Sequence, residues 1–466
     1  MNIANYHNVY FIGIGGIGMS AIARWCKRSG YNVAGFDRTE TNLTTQLIKE
    51  GINIHFDDEV TAIPASFLDD KANTLVIYTP AIPKSHKGFN YLKDNGFELI
   101  KRSVALGVIT QSMQTVAVAG THGKTTTSSM IAHILKFAGM DIAAFLGGIA
   151  TNYESNFIAN ETLTDNTIAV VEADEFDRSF LTLNPNIAVV TSADADHLDI
   201  YGDANSLQSS FKDFIKQVKS TGELFISEKI ADQLVEPNTT LKTNKYGINR
   251  GQFFASNITM NNGFFVFDYR DELHNIDGIR LGVPGFHNVE NATVAIAVAL
   301  KLGVSPEKVK EAIADYLGVK RRFEFVIKSE KLVFVDDYAH HPVEIEAFLK
   351  SLKALYPDRK VTAIFQPHLF SRTRDFADGF AESLSLADDL ILLEIYPARE
   401  EPIDGVDSSM LLSKVSGDSK MLCSKEALVQ ELAGRKLEVV ATIGAGDIDK
   451  LVTPIGNHLK EQYHVA

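Results

Sequence analysis

The stretch VYFIGIGGIGMS, residues 9–20, begins as a short apolar strand and passes through closely spaced glycines into an amphipathic segment. Its glycines fit the pattern G-x-G-x-x-G, and an acid closes the next predicted strand, 19 positions after the last glycine. Glycines let the backbone approach a diphosphate, the following helix N-terminus attracts the anion, and the carboxylate binds ribose hydroxyls. The stretch therefore predicts a Rossmann-like domain with a nucleotide diphosphate site formed by Gly13, Gly15, Gly16, Gly18 and Asp37.

This glycine loop does not by itself identify the nucleotide. A nicotinamide dinucleotide and a UDP-sugar both join a diphosphate to a ribose, so the same residues suit either ligand. A tight glycine turn that holds no ligand is the structural alternative. The remainder of the chain has to decide among these three interpretations.

A second loop, AGTHGKTTT at residues 119–127, follows the predicted strand 115–119 and precedes the predicted helix 128–137. Backbone amides of such a loop cradle phosphates, Lys124 reaches the β- and γ-oxygens, and the Thr125 hydroxyl holds Mg²⁺. The loop is a shortened variant of G-x-x-x-x-G-K, because Val118 occupies the position of the first glycine. We therefore predict an ATP site that includes Gly120, Thr121, Gly123, Lys124, Thr125 and Thr126.

Acidic residues follow two later predicted strands, at the sheet edge where metal ligands lie in such folds. Glu172, Asp174 and Glu175 end one strand, and residues 194–199 (DADHLD) end another. Mg²⁺ takes few protein ligands and prefers carboxylate and phosphate oxygens, so Thr125 and one acid suffice for a first ion. His197, within the second run, fits a structural hydrogen bond as well as a metal ligand.

Length and composition exclude several classes of protein. A chain of 466 residues predicts about three domains, and a net charge of −14 disfavours nonspecific nucleic-acid binding. No apolar run approaches the ~18 residues of a membrane helix, and the N-terminus lacks the features of a signal peptide. The two cysteines are far apart and predict neither a disulfide framework nor a metal site. We expect a cytoplasmic soluble enzyme without nucleic-acid partners.

Short β-rich runs alternate with helical segments along the whole chain, which predicts an α/β fold with parallel sheets. We place a Rossmann-like domain at residues 1–110, a P-loop ATPase-like domain with a parallel sheet at 111–319, and a Rossmann-like α/β domain at 320–466. Residues 239–280 are expected to form an antiparallel flap or subsheet of the central domain. The third domain is expected to open with a hairpin over 323–335.

The two loops and further motifs are together similar to the Mur ligases, the ATP-dependent amino-acid-adding enzymes of peptidoglycan synthesis. The similarity is strongest to the alanine-adding branch and spans essentially the whole chain. It implies UDP-N-acetylmuramate in the N-terminal domain, ATP and Mg²⁺ in the central one, and L-alanine in the C-terminal one. ATP would convert the lactoyl carboxylate to an acyl phosphate, which the alanine amine would attack. The further motifs are GFHNVENA (285–292), RRFE (321–324), DDYAHHP (336–342), FQPH (365–368) and SRTRD (371–375).

The resemblance also implies roles for single residues. Catalysis would involve Lys124, His122, Glu172 and His197, of which His122 would help to orient the acyl phosphate. The first Mg²⁺ would bind to Thr125 and Glu172, and the second to His197. The remaining ATP contacts would be Asn288 and Asn291 to adenine, and Arg322 and Asp337 to phosphate and ribose. The alanine pocket would consist of Tyr338, His340, His368 and Arg372.

One position, Leu369, departs from the family pattern, and the role of a second, Lys212, is not decided by the sequence. Leu369 stands where the family often has an arginine, so Arg372 would carry more of the binding of the alanine carboxylate. An arginine that caps a surface helix is the alternative interpretation of Arg372. Some relatives carry a carbamylated lysine near the second metal, although the alanine-adding branch often lacks it. Lys212, 15 residues after His197, is the nearest candidate.

Three other functions compete with this interpretation. A recycling ligase that joins UDP-N-acetylmuramate to a tripeptide shares the first two domains but lacks the run at 366–375. A nicotinamide-dependent oxidoreductase rests on the first glycine loop alone and leaves the second loop unexplained. An ATP-binding switch without chemistry does not explain the acids at 172–177 and 194–199.

Overall fold

A computed structural model describes residues 2–194, 201, 203–261, 263–398 and 400–465. The chain forms two compact units, and both are discontinuous in sequence. Within the described ranges, every helix is too short or too polar to cross a lipid bilayer. The first unit comprises Met1–Ser256, Asp268–Ile279 and Glu290–Tyr316, and the second comprises Asn257–Phe267, Arg280–Val289 and Leu317–Ala466.

The N-terminal sheet consists of five parallel strands in the order β3-β2-β1-β4-β5, with bounds β1 (Asn8–Ile12), β2 (Asn32–Phe36), β3 (Asn53–His55), β4 (Thr74–Tyr78) and β5 (Glu98–Lys101). All five residues of β1 are buried, because the central strand of a parallel sheet is covered on both faces. The strand order reverses beside β1, and ligands of open α/β sheets bind at such a point. The helices are α1 (Ile17–Arg28), α2 (Asn42–Lys49), α3 (Ala65–Leu68), α4 (Lys87–Asp94) and α5 (Arg102–Thr110).

The central sheet has ten strands in the order β15-β14-β13-β12-β11-β10-β6-β9-β7-β8. The strands are β6 (Gln114–Ala119), β7 (Ile142–Ala150), β8 (Ser155–Ala159), β9 (Ile168–Glu172), β10 (Ile187–Val190), β11 (Glu223–Ser227), β12 (Lys242–Ile248), β13 (Phe253–Asn261), β14 (Phe264–Arg270) and β15 (Asn275–Leu281). β6 pairs in parallel with both β9 and β10, so the carboxyl ends of these three strands lie side by side. The region predicted as an antiparallel flap or subsheet, residues 239–280, contributes β12–β15 at one end of this sheet, and β12 pairs in parallel with β13.

Five helices of the described residues follow this sheet in sequence or connect its strands: α6 (Lys124–Phe137), α7 (Ala204–Lys216), α8 (Ala231–Leu234), α9 (Phe286–Lys301) and α10 (Pro306–Asp315). Helix α6 begins at Lys124, four residues before the predicted start at Ser128. Gly123 lies in the left-handed region (φ +81°) at the helix N-cap, so the chain turns into the helix immediately after the loop.

The C-terminal sheet has six strands in the order β16-β17-β21-β18-β19-β20. The predicted hairpin is confirmed, because β16 and β17 pair antiparallel, whereas the remaining strand pairs are parallel. The strands are β16 (Glu324–Lys328), β17 (Val333–Asp337), β18 (Val361–Phe365), β19 (Asp389–Leu392), β20 (Lys420–Leu422) and β21 (Val439–Ile443). The helices are α11 (Pro342–Leu355), α12 (Phe370–Asp375), α13 (Ala377–Leu384), α14 (Ser408–Lys414), α15 (Leu428–Ala433) and α16 (Asp449–Tyr463).

The predicted fold class, α/β with parallel sheets, is confirmed, and the three sheets follow one another in the predicted order. The N-terminal sheet and strands β6–β12 nevertheless belong to one unit, because a single hydrophobic cluster runs through both parts. That cluster contains Ile22 and Ile109 of the N-terminal part together with Phe145 and Phe180 of the central part. The boundaries near residues 110 and 320 stay predictions.

Candidate active site

A pocket of about 820 Å³ lies beside the first glycine loop, at the carboxyl ends of β1, β2 and β4. Gly13 has φ +86°, and a Cβ atom there would lie 2.4 Å from Cγ2 of Thr79, so only glycine suits this position. The Asp37 carboxylate braces the loop, since Oδ2 accepts a hydrogen bond of 2.7 Å from the Gly15 amide. Residues of the lining that sequence analysis missed include Arg38, Phe56, Asp57, Asp58, Thr79, Ser85 and His86.

The second loop is held in shape by the segment that follows β10. Gly120 has φ +137°, and a Cβ atom there would lie 2.0 Å from Oγ1 of Thr191. The hydroxyls of Thr121 and Ser192 lie 2.9 Å apart, and the Ser192 hydroxyl also accepts a hydrogen bond of 2.8 Å from the His122 amide. The His122 ring lies 3.6 Å from the Asp194 carboxylate. The loop is therefore a fixed cradle that opens at the carboxyl edge of the sheet.

The Lys124 ammonium lies within this loop and is almost fully enclosed. It donates hydrogen bonds to the carbonyls of Gly120 (2.6 Å) and Thr121 (3.3 Å) and to Oε1 of Glu175 (2.9 Å). Burial alone would lower the pKa of Lys124, but nearby carboxylates, Glu175 foremost, outweigh burial and raise it. Glu175 is fully buried and was not predicted as a site residue, although it belongs to the acidic run that follows β9.

Thr125 and Glu172 supply two oxygen donors next to this loop. Thr125 is the second residue of α6, and Glu172 ends β9, which is the neighbour of the loop strand β6. The Glu172 carboxylate accepts a hydrogen bond of 2.9 Å from the Gly147 amide, and a Cβ atom at Gly147 would lie 2.3 Å from Oε2 of Glu172. A hydroxyl and a carboxylate are donors of the kind that Mg²⁺ prefers, so the residues present fit that ion.

The predicted ligand of a second metal, His197, lies outside the described residues, which omit 195–200. Lys212, the candidate for carbamylation, is described: its Nζ forms an ion pair of 3.5 Å with Oε1 of Glu236. Its side chain is about one-third exposed, at 36%.

The two asparagines predicted to contact adenine lie in helix α9. Asn291 packs against the phosphate loop, because a Cβ atom at Gly123 would lie 2.8 Å from its Oδ1. Asn288 belongs to the second unit, where its Nδ2 donates a hydrogen bond of 2.7 Å to the Pro284 carbonyl. Asn288 is the third residue of the helix and therefore not its N-cap.

The second unit brings the four residues predicted for the alanine pocket into one cluster. The ring centroids of Tyr338 and His340 lie 5.4 Å apart, and those of His340 and His368 lie 6.3 Å apart. Nη1 of Arg372 lies 3.4 Å from Nδ1 of His368. Arg372 is only 9% exposed, which does not suit the alternative of a surface capping arginine.

Glu344, in the first turn of α11, joins two predicted site residues and was missed by sequence analysis. Its Oε2 accepts a hydrogen bond of 3.0 Å from the His340 amide, and its Oε1 lies 3.7 Å from Nη1 of Arg322. The Arg322 guanidinium also lies over the Tyr338 ring, 5.0 Å from the centroid. The signal in the sequence was an acid two residues after the DDYAHHP run.

Asp337 ends β17 and is buried. Its two carboxylate oxygens accept hydrogen bonds from the amides of Phe323 (2.7 Å) and Ala339 (2.8 Å). Burial raises the pKa of Asp337 to about 7, although the Arg322 charge and both hydrogen bonds oppose this shift. Asp337 and Arg322, the predicted partners of ATP, therefore also influence each other electrostatically within the unit.

The parallel sheets, the pocket beside the first glycine loop and the phosphate loop with its buried lysine define a nucleotide-binding α/β enzyme of the phosphate-loop class. Three successive parts of the chain match domain families of the Mur ligases. They are "Mur ligase family, catalytic domain" at residues 8–113, "Mur ligase middle domain" at 118–299, and "Mur ligase, glutamate ligase domain" at 321–446. The chain belongs to the Mur ligase family.

Individual relatives match along the full length. The UDP-N-acetylmuramate–L-alanine ligase of Flavobacterium psychrophilum is 50% identical over 463 residues, which cover 99% of this chain and 100% of the relative. The enzyme of the same name from Cytophaga hutchinsonii is 46% identical over 466 residues, covering 100% of both chains. A crystal structure of the UDP-N-acetylmuramate–alanine ligase from Thermotoga maritima superimposes with a TM-score of 0.79 at 27% identity, covering 97% of this chain and 99% of that chain.

Proposed function

We infer that this chain is an ATP-dependent ligase that joins L-alanine to the lactoyl carboxylate of UDP-N-acetylmuramate. The observation that carries this conclusion is the full-length identity of 46–50% to ligases of that name. The cluster of Tyr338, His340, His368 and Arg372 supports the amino-acid site. Because the reaction consumes ATP, we also propose a cytoplasmic location.

The first chemical step activates a carboxylate, which is a poor acyl donor. An oxygen of the lactoyl carboxylate attacks the γ-phosphorus of ATP. The bond between the γ-phosphorus and the β,γ-bridging oxygen breaks, so ADP leaves and an acyl phosphate forms. Negative charge on the transferring group requires a fixed cation, and the Lys124 ammonium supplies it once phosphate replaces the loop carbonyls as its partner. His122, within the same loop, would orient the acyl phosphate.

The proposed ATP contacts are those that the family resemblance gives. Asn291 packs on the phosphate loop and supports an adenine contact, with Asn288 as its predicted companion. Arg322 would contact phosphate and Asp337 would contact ribose. Mg²⁺ would be held by Thr125 and Glu172, where it would supply charge neutralisation to the phosphate oxygens. His197 remains the proposed ligand for a second ion.

The second chemical step forms the amide. The alanine amine attacks the acyl carbon, the tetrahedral intermediate expels inorganic phosphate, and the amine gives up a proton. The buried Arg372 guanidinium offers the alanine carboxylate a planar pair of donors, and the rings of Tyr338, His340 and His368 enclose the remainder of the pocket. The UDP portion would lie along the glycine loop in the pocket of about 820 Å³.

A phosphate-release assay tests this function directly. Release should require ATP, UDP-N-acetylmuramate and L-alanine together, and mass spectrometry should find the alanyl product. Replacing L-alanine with the L-alanyl-γ-D-glutamyl-meso-diaminopimelate tripeptide tests the recycling alternative. Turnover with the tripeptide and none with L-alanine would contradict the proposed substrate.

A further inference from the structure

Arg102, the first residue of α5, packs directly on the first glycine loop. A Cβ atom built on Gly18 would lie 2.4 Å from Nη1 of Arg102 and 3.2 Å from its Cδ, so the guanidinium fills the space that the glycine leaves. Gly18 belongs to the first turn of α1, whose N-terminus faces the predicted diphosphate site. The guanidinium therefore lies against Gly18, one of the residues predicted to bind the diphosphate.

The same guanidinium also contacts the acidic run of the ATP site. Nη2 of Arg102 donates a hydrogen bond of 3.1 Å to Oδ2 of Asp174, which lies between Glu172 and Glu175. In the part of the chain that the structure describes, this is the only hydrogen bond of the Arg102 side chain. About a quarter of the side chain is exposed, and a guanidinium carries five N–H donors.

We propose that Arg102 binds an anionic group of UDP-N-acetylmuramate where this substrate passes from the glycine loop to the phosphate loop. This inference rests on the proposed function, because the lactoyl carboxylate must reach the ATP site while the diphosphate stays on the glycine loop. Arg102 contacts Gly18 at the glycine loop and Asp174 in the acidic run after β9, and hydrogen-bond-donating N–H groups of its guanidinium are available beyond that one pair. A guanidinium pairs with carboxylate and phosphate oxygens in the same planar geometry, so the shared chemistry is an anionic oxygen.

Calorimetry without ATP tests the proposal with UDP-N-acetylmuramate as the probe. Arg102→Met should raise the Kd about ten- to a hundredfold, which is the loss of one charge-assisted pair. Lys101→Met is the matched control: it removes the neighbouring cation, whose partner is Asp177 at 3.6 Å, and should leave the Kd unchanged. Arg102→Lys should recover only part of the affinity, because an ammonium lacks the planar fork.

Two further probes distinguish the two sources of the anion. UDP-N-acetylglucosamine and UDP carry the diphosphate but no carboxylate. If Arg102 binds the diphosphate, Arg102→Met weakens all three ligands by the same factor. If it binds the carboxylate, only UDP-N-acetylmuramate is weakened. Either pattern supports the proposal.

A second variant separates binding from a purely structural role of the ion pair. Asp174→Asn removes the charge opposite Arg102 but keeps the Oδ1 that accepts a hydrogen bond from the Phe176 amide. If Arg102 binds substrate, this variant should bind UDP-N-acetylmuramate as tightly as the wild type or more tightly. An unchanged Kd in Arg102→Met, or an equal loss in Asp174→Asn, overturns the proposal. A wild-type protein that fails to bind UDP-N-acetylmuramate would instead refute the proposed function.

Discussion

Lys124 shows how one residue holds a charge inside the protein. Its ammonium is enclosed by two loop carbonyls and the buried Glu175 carboxylate; burial opposes the charge, but the nearby carboxylates, Glu175 foremost, raise the pKa of Lys124. We expect Lys124→Ala to lower kcat a hundredfold or more with the fold intact, since the transferring phosphoryl group loses its fixed cation. Lys136→Ala is the control, because Lys136 lies in the last turn of the same helix and donates to Asn160. Near-wild-type turnover in Lys124→Ala would contradict a catalytic loop.

Arg372 lies three residues after Leu369, which stands where the family often has an arginine. Because Leu369 supplies no charge, the alanine carboxylate depends on Arg372, and a charge-assisted pair contributes roughly 1.5–3 kcal/mol. Arg372→Ala should raise the KM for L-alanine about ten- to a hundredfold and leave the KM for ATP nearly unchanged. Arg374→Ala is the matched control, since Arg374 is exposed and paired with Asp375. An alanine KM within twofold of wild type in Arg372→Ala would place the carboxylate elsewhere.

Asp337 makes the stability of the protein depend on pH. Its pKa in the folded protein, about 7, exceeds the ordinary value of 3.8, so the folded state binds the proton more tightly than the unfolded state. The contribution of Asp337 to the free energy of unfolding is fully present below about pH 4. It decreases between about pH 4 and 7, with a slope of up to about 1.4 kcal/mol per pH unit. In melting curves from pH 5 to 8, the Tm of Asp337→Asn should rise relative to the Tm of the wild type as pH rises. A constant Tm difference would contradict the raised pKa.

Residues within one motif could be predicted, whereas their distant partners could not. Lys124, Thr125 and the loop glycines stand together in sequence, and their chemistry is local. Glu175 contacts Lys124 across 51 positions, and Asp174 contacts Arg102 across 72. Such contacts depend on which strands become neighbours, and a single sequence does not specify that order.

At the scale of elements, the phosphate loop passes directly into helix α6, which begins at Lys124. Gly120 combines φ +137° with a Cβ position only 2.0 Å from the Thr191 hydroxyl, so Gly120→Ala forces both strain and displacement. We expect Gly120→Ala to lower the free energy of unfolding by about 1–3 kcal/mol and to raise the Kd for ADP at least tenfold. Gly139→Ala is the control, with φ +82° but open space around its Cβ position. It should reduce stability modestly and leave the Kd for ADP unchanged.

Helix boundaries depend both on local backbone geometry and on tertiary contacts. Helix α6 starts at Lys124 rather than Ser128, because the left-handed Gly123 turns the chain before the β-branched threonines begin. Helices α12 and α13 are separated at Phe376, whose backbone leaves the helical region while its ring packs edge-on against the His341 ring, with the centroids 4.8 Å apart. Tertiary contacts of this kind override helical periodicity and were not accessible from the sequence pattern.

At the scale of the whole molecule, the alternation of strands and helices predicted the fold class, but it did not predict how the sheets group. The N-terminal and central sheets share one hydrophobic cluster and a polar connection in which Nδ2 of Asn156 donates a hydrogen bond of 2.9 Å to the Ser20 hydroxyl. Periodicity indicates which face of a helix is apolar, and it does not identify the sheet that covers that face. The two nucleotide loops therefore belong to one compact unit.

This grouping predicts how ligands stabilise the protein. If the first unit unfolds as one body, UDP-N-acetylmuramate and ADP should each raise the midpoint temperature of the same calorimetric transition, although their loops lie in different sheets. A ligand at a hundred times its Kd adds about 2.7 kcal/mol to the stability of the state that binds it. NADH is the control for the glycine loop and should shift no transition, because the UDP-sugar is the ligand. If the two nucleotides shift separate transitions, the sheets unfold independently. If NADH shifts a transition and UDP-N-acetylmuramate does not, the ligand of the glycine loop is the dinucleotide and not the UDP-sugar.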